Sequence, residues 1–267
     1  MQPNPIHAPA PEGWPRPKRS ARLVFAVGYL GLFALGMFAG SAWAVYTDQI
    51  GAAVLLLFGG LGFGHLAGLA AGQLRLPQGE GRATTGTTDD GEIGLTYTYA
   101  RAPYYWLITT LALVTLASLG VTALGLLAAE TAGWVVAAIA AASAGWLLWL
   151  LILVVRLAPG RVVLTPTGVY HRSLTFEHFV PWWAVTEVVA DQEAHPVIAV
   201  KAYPSEGTRR SGRFGTYEGR YLPIMVIRSY RLGANTLPAF QALHHYFHNA
   251  DQRAQLSAPP RTFNNEA

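Results

Sequence analysis

Apolar and polar positions divide the chain near residue 156. Before that point four stretches are apolar almost without interruption, at about residues 23–45, 50–72, 106–128 and 132–155. A helix over the first rises ~34 Å, more than a hydrocarbon core of about 30 Å. Each is therefore expected to span a bilayer. After residue 156 the apolar runs shorten and alternate with polar residues. Val162 to Leu164 and Val169 to Arg172 flank Pro166-Thr167-Gly168, the pattern of a β-hairpin. Residues 179–189 read as a strand around Pro181-Trp182-Trp183, and 195–203 and 221–230 as two more. Residues 204–219 read as a Gly/Ser/Arg loop. Thr236 and Pro238 then open a helix, with Thr236 as its N-cap. Phe240, Leu243, Tyr246 and Phe247 form its apolar face, and 249–251 break it before a short piece ending at Leu256.

The connections complete the plan. Residues 1–21 are a proline-rich tail expected to be disordered, as are 257–267. Residues 73–103 form a polar loop whose middle, 79–91, reads as flexible. Its end alternates Ile93, Leu95, Tyr97 and Tyr99 with small or polar residues, a strand pattern able to pair with the later sheet. Three residues or so separate the third and fourth spans, which must form an antiparallel hairpin. Ala42-Trp43-Ala44 mimics a signal-peptide cleavage site, but the preceding run exceeds the usual 7–15 residues of such segments.

Charge adds an orientation. Arg16, Lys18, Arg19, Arg22, Arg75, Arg82, Arg101, Arg156 and Arg161 fall on one set of loops, and Asp48 and Glu130 on the other. The positive-inside rule then puts both termini in the cytoplasm. Composition agrees: 52% of residues are hydrophobic and 13% charged, about half the charge of an average soluble domain. There is no cysteine, which excludes disulfides and thiolate chemistry.

Candidate chemistry is sparse. Gly60, Gly64, Gly68 and Gly72 recur every four residues and form one helix stripe, suited to close helix packing, an oligomer seam or a pore lining. His65 is the one ionisable side chain deep in the spans, read as an interhelical hydrogen-bonding group or as a proton or ligand handler. Lys201, Arg209, Arg210, Arg213 and Arg220 form a basic set, with 209–213 as a flexible cationic loop. It suits anionic headgroups or stands as a solvated loop. His244 and His248 stand four apart, but no carboxylate completes a metal motif. There is no nucleophile elbow, no Ser-x-x-Lys and no P-loop, and no nucleic-acid recognition motif. No catalytic residue and no cofactor is expected.

The segments LTPTGVYHR, VPWWAV and ALHHYFHNADQRAQL resemble the opening, middle and closing helix of bacterial PH-like (pleckstrin-homology-like) domains in multi-pass membrane proteins of high-GC bacteria. The resemblance covers residues 160–256. It implies an antiparallel sheet closed by one helix, thus an α+β domain after a four-helix membrane bundle in 22–156. It implies binding of a lipid, peptide or protein and no catalysis. The expected partners are membrane lipids, an unknown protein, or another copy of the chain. The alternative is a small transporter or channel component using the glycine stripe and His65.

Overall fold

The computed structural model describes residues 12, 14–15, 20–74, 81–128, 130–174, 176–192, 196–211 and 224–257. The chain divides into two compact units. One comprises Arg19–Leu74 and Arg101–Arg156. The other comprises Met1–Lys18, Arg75–Ala100 and Leu157–Ala267.

The first unit contains four helices long and apolar enough to cross a membrane: α1 (Ala21–Tyr46), α2 (Ile50–Gly72), α3 (Arg101–Leu127) and α4 (Thr131–Leu157). This is a multi-pass membrane protein. At most 17% of the apolar window of any span is buried within the protein, so most of each apolar surface is left for lipid. Helix α3 begins at Arg101, five residues before the expected Trp106. Pro103 does not prevent this, because a proline in the first helical turn forfeits no intrahelical bond. The hydroxyls of Thr110, Thr115, Ser118, Thr122 and Ser143 donate to the carbonyl four residues back on their own helices. Ser41 instead crosses from α1 to donate to the Ala53 carbonyl of α2 at 2.8 Å.

The second unit is an antiparallel sheet domain. Its strands are β1 (Thr84–Thr87), β2 (Ile93–Thr98), β3 (Arg161–Leu164), β4 (Gly168–Arg172), β5 (Glu177–Pro181), β6 (Val185–Gln192), β7 (Pro196–Ala202), β8 (Arg209–Ser211) and β9 (Ile224–Arg228). Six form one sheet in the order β1-β2-β3-β4-β5-β8, and three form another in the order β6-β7-β9. Helix α5 (Thr236–His248) and the 3-10 helix Ala250–Ser257 follow.

Three sequence readings change here, and the strand pattern over 93–99 holds as β2, next to β1 and β3 in the six-stranded sheet. Strand β2 pairs with β3 across the whole α3–α4 insertion, with Thr98 opposite Arg161 and Leu95 opposite Leu164. The segment expected to be flexible holds β1, because its threonines pair with β2. The Pro-Trp-Trp segment does not continue a strand. Trp182–Ala184 makes one 3-10 turn that carries the chain from β5 in one sheet to β6 in the other. Finally, Asn235 occupies the α5 N-cap position and Thr236 lies inside the helix, its hydroxyl donating to the Ser229 and Gly233 carbonyls.

Burial alternates along β9 and is continuous along β3. Val162, Val163 and Leu164 of β3, Val169 and Val180 of β4 and β5, Ile198 and Val200 of β7, and Met225 and Ile227 of β9 are buried with Phe240 and Leu243 of α5. Trp182 fixes the corner: its indole N–H donates to the Thr165 carbonyl at 2.8 Å. Two glycines permit close backbone approaches. A Cβ on Gly94 would lie 2.3 Å from the Leu164 carbonyl oxygen, and one on Gly168 would lie 2.5 Å from that of Val180.

Candidate functional site

The polar surface of the six-stranded sheet is organised by register. Arg161 lies opposite Arg172, Arg172 opposite Glu177, and Glu177 opposite Ser211. Partners in register share a face, so these four residues make one row across β3, β4, β5 and β8. The row lies at the end of the sheet where the Tyr99 N–H donates to the Gly160 carbonyl. The chain leaves the sheet for α3 and returns from α4 at that same end.

The β1–β2 turn is drawn onto this row by Asp89. Its carboxylate accepts from Arg161 at 3.0 Å, from Arg172 at 3.3 Å and from the Tyr170 hydroxyl at 2.7 Å. Burial raises the Asp89 pKa, but hydrogen bonds from Glu177 and Tyr170 and the charges of Arg172 and Arg161 outweigh it, so the carboxyl sits below its ordinary value. Burial and the neighbouring Asp89 hold Glu177 above the ordinary value against the opposing Arg172. Of the two carboxyls, Glu177 is thus the one that takes up a proton first.

Two cavities open beside β5 and β8. One, of about 200 Å³, is lined by Asp89, Asp90, Tyr170, Glu177 and Arg209 among others. The second, of about 320 Å³, is lined by Tyr203, Ser205, Thr208 and Arg210. His178 lines both. It is 4% exposed, and its Nε2 has no hydrogen-bond partner among the described residues. Burial, reinforced by Arg210, lowers its pKa to about 4, so the ring is neutral at neutral pH. His171 lies opposite His178 in the strand register, and burial, with Arg231 and His178 adding to it, lowers its pKa to about 3. Its Nε2 is hydrogen-bonded to the Tyr99 hydroxyl.

The basic set is dispersed. Arg209 and Arg210 do not lie in a free loop but on β8, paired with β5. Arg209 is ion-paired with Asp90 at 2.8 Å and lies over the Phe179 ring at 4.9 Å. Arg210 lies over Phe176 at 4.9 Å. Lys201 sits on β7 in the other sheet, 2.7 Å from Glu187. Arg213 and Arg220 lie outside the described residues. The sequence reading missed Asp89, Asp90, Tyr170 and His178. Asp89 and Asp90 fall in a segment read as flexible, and only the β1–β2 turn of the assembled sheet brings them to partners far along the chain.

In the helical unit, His65 makes no interhelical hydrogen bond among those described. Its Nδ1–H donates to the Leu61 carbonyl of its own helix at 2.7 Å, and its ring meets Trp106 edge-on at 5.4 Å. The glycine stripe is not one backbone seam. A Cβ on Gly60 would meet the Phe38 ring at 2.8 Å, and one on Gly68 the Trp106 ring at 2.6 Å. These two glycines are notches for aromatic side chains from different helices. Gly64 meets only the Ala34 Cβ at 3.9 Å, and Gly72 meets nothing described within 4 Å. A true backbone approach occurs instead between Gly125 and Gly133, flanking the α3–α4 turn. Among the described residues no group of three or more His, Cys, Asp or Glu is arranged to hold a metal; His248 Nδ1 bonds the His244 carbonyl instead.

Compared with family models, curated proteins and solved structures, the chain matches none.

Proposed function

We propose that the protein is a non-catalytic, membrane-anchored binding module whose sheet domain captures anionic lipid headgroups at the cytoplasmic face of a bacterial cell membrane. The carrying observation is the register of β8. Ser211 lies in the same row as Arg161 and Arg172, so the basic segment that follows it leaves from the sheet end joined to α3 and α4. The tether is short: Tyr99 and Ala100 separate β2 from α3, and residues 158–160 separate α4 from β3. On this reading that end of the sheet meets the bilayer, where each basic residue contributes about 1 kcal/mol toward an anionic surface.

We read the domain as PH-like. Two antiparallel sheets, β1-β2-β3-β4-β5-β8 and β6-β7-β9, followed by the C-terminal α5, support that reading. The cytoplasmic orientation rests on the arginine-rich loops. The transport alternative has less support: His65 is satisfied by Leu61, and Gly60 and Gly68 receive aromatic rings.

Affinity capture from native membranes tests the reading. The wild-type chain is expected to co-purify anionic phospholipid in excess over the bulk membrane, and the Arg209, Arg210 and Arg213 triple alanine variant to lose that excess. Equal lipid content with a protein lost from the triple variant would assign the surface to a protein partner. Equal lipid and protein content would remove the proposal.

A further inference from the structure

The first 20 residues contain one Phe, Tyr or Trp, and it is Trp14. A proline-rich tail is expected to leave such a residue in solvent. Trp14 is instead 8% exposed. Its ring lies 5.1 Å from Phe240 of α5, inclined at 57°. Its indole N–H donates to the main-chain oxygen of Asp191 at 3.2 Å. Asp191 belongs to β6, which among the described residues is an end strand of the three-stranded sheet. Helix α5 packs alongside β6. The cleft between them thus supplies an aromatic wall and a hydrogen-bond acceptor, the two things an indole needs to be buried.

We propose that the β6–α5 cleft is a docking site for a proline-flanked tryptophan, and that the chain's own N-terminal segment fills it as an internal ligand. The inference is independent of the lipid-binding reading. Pro11, Pro15 and Pro17 stiffen the segment around Trp14, which lowers the entropy lost on docking. The indole anchors it. A second protein carrying the same chemistry competes for the cleft only by displacing the tail. Because the tail is tethered, its effective concentration is of millimolar order, so a free competitor has to match that. The tail is then a built-in threshold on the site.

The test uses the full chain in nanodiscs with 5-fluorotryptophan, the Trp14 resonance being the one lost in Trp14→Phe. Two results are expected. The Trp14 resonance relaxes at least fivefold less in a soluble gadolinium chelate than the same residue in a free peptide of residues 9–19. Adding that unlabelled peptide at millimolar concentration brings it to the free-peptide value, while a peptide with Trp14→Ala does not. Free-peptide relaxation in the intact chain overturns the docking. A resonance that stays protected in excess peptide overturns the exchangeable site. Displacement by the alanine peptide overturns the indole as anchor.

Discussion

Acidification should loosen the sheet domain through His178. The ring is 4% exposed and its pKa is lowered to about 4, against 6.5 for an ordinary histidine. The unfolded chain therefore binds a proton that the folded chain refuses. For a depressed folded pKa, the stability is fully present above 6.5 and is lost as pH falls toward 4. At pH 5 the unfolded histidine is about 97% protonated, which costs the folded state about 2 kcal/mol, a ~30-fold rise in the opening equilibrium. His171, lowered to about 3, contributes a similar amount. Glu177, held above its ordinary value, acts in the opposite direction. The wild-type chain is best compared with His178→Gln, which removes one titration and leaves the rest. Hydrogen exchange of the β5 amides in nanodiscs, corrected for intrinsic rates, should show the wild type losing about 2 kcal/mol more than the variant between pH 8 and pH 5. Equal pH slopes in the two proteins, or a His178 titration near 6.5 by NMR, would refute the reasoning.

Four other outcomes follow from the packing. Gly94→Ala forces a Cβ onto the Leu164 carbonyl and should break the β2–β3 ladder, seen as lost exchange protection in both strands, whereas Gly91→Ala strains only a turn with φ of 83°. Gly68→Ala pushes on the Trp106 ring and should cost about 1–3 kcal/mol in SDS-induced unfolding, while Gly72→Ala should be nearly neutral. Trp182→Phe removes the indole donor from the buried Thr165 carbonyl and should cost about 1–3 kcal/mol in guanidinium unfolding of the sheet domain. His65→Ala should leave lipid capture unchanged, since its hydrogen bond stays within α2; a loss of capture would tie the spans to the binding site.

Much of the architecture was legible because long apolar runs and period-two alternation act locally. Residues 50–72 read as a span and fold as one helix with the same ends. The alternation of Ile93 to Tyr99 read as a strand and pairs with β3. What escaped depends on partners far away in sequence. Thr84–Thr87 has no apolar alternation and becomes a strand only because Thr84 and Thr85 find Thr96 and Leu95. Arg209 and Arg210 look like a loop beside Gly, Ser and Glu. They extend because β5 offers Phe179 and His178 in register. Trp14 sits among prolines, and nothing local says that Phe240 will cover it. The row through Arg161, Arg172 and Ser211 likewise exists only in the assembled sheet.

The absence of cysteine permits a direct test of which end of the sheet meets lipid. A single cysteine at Ser211 and another at Thr167, at the opposite end of the β3–β4 hairpin, each carry a bimane in bilayers of brominated lipid. Quenching is expected at 211, stronger when the bilayer contains anionic lipid, and none at 167. Quenching at 167 with 211 unaffected would contradict it.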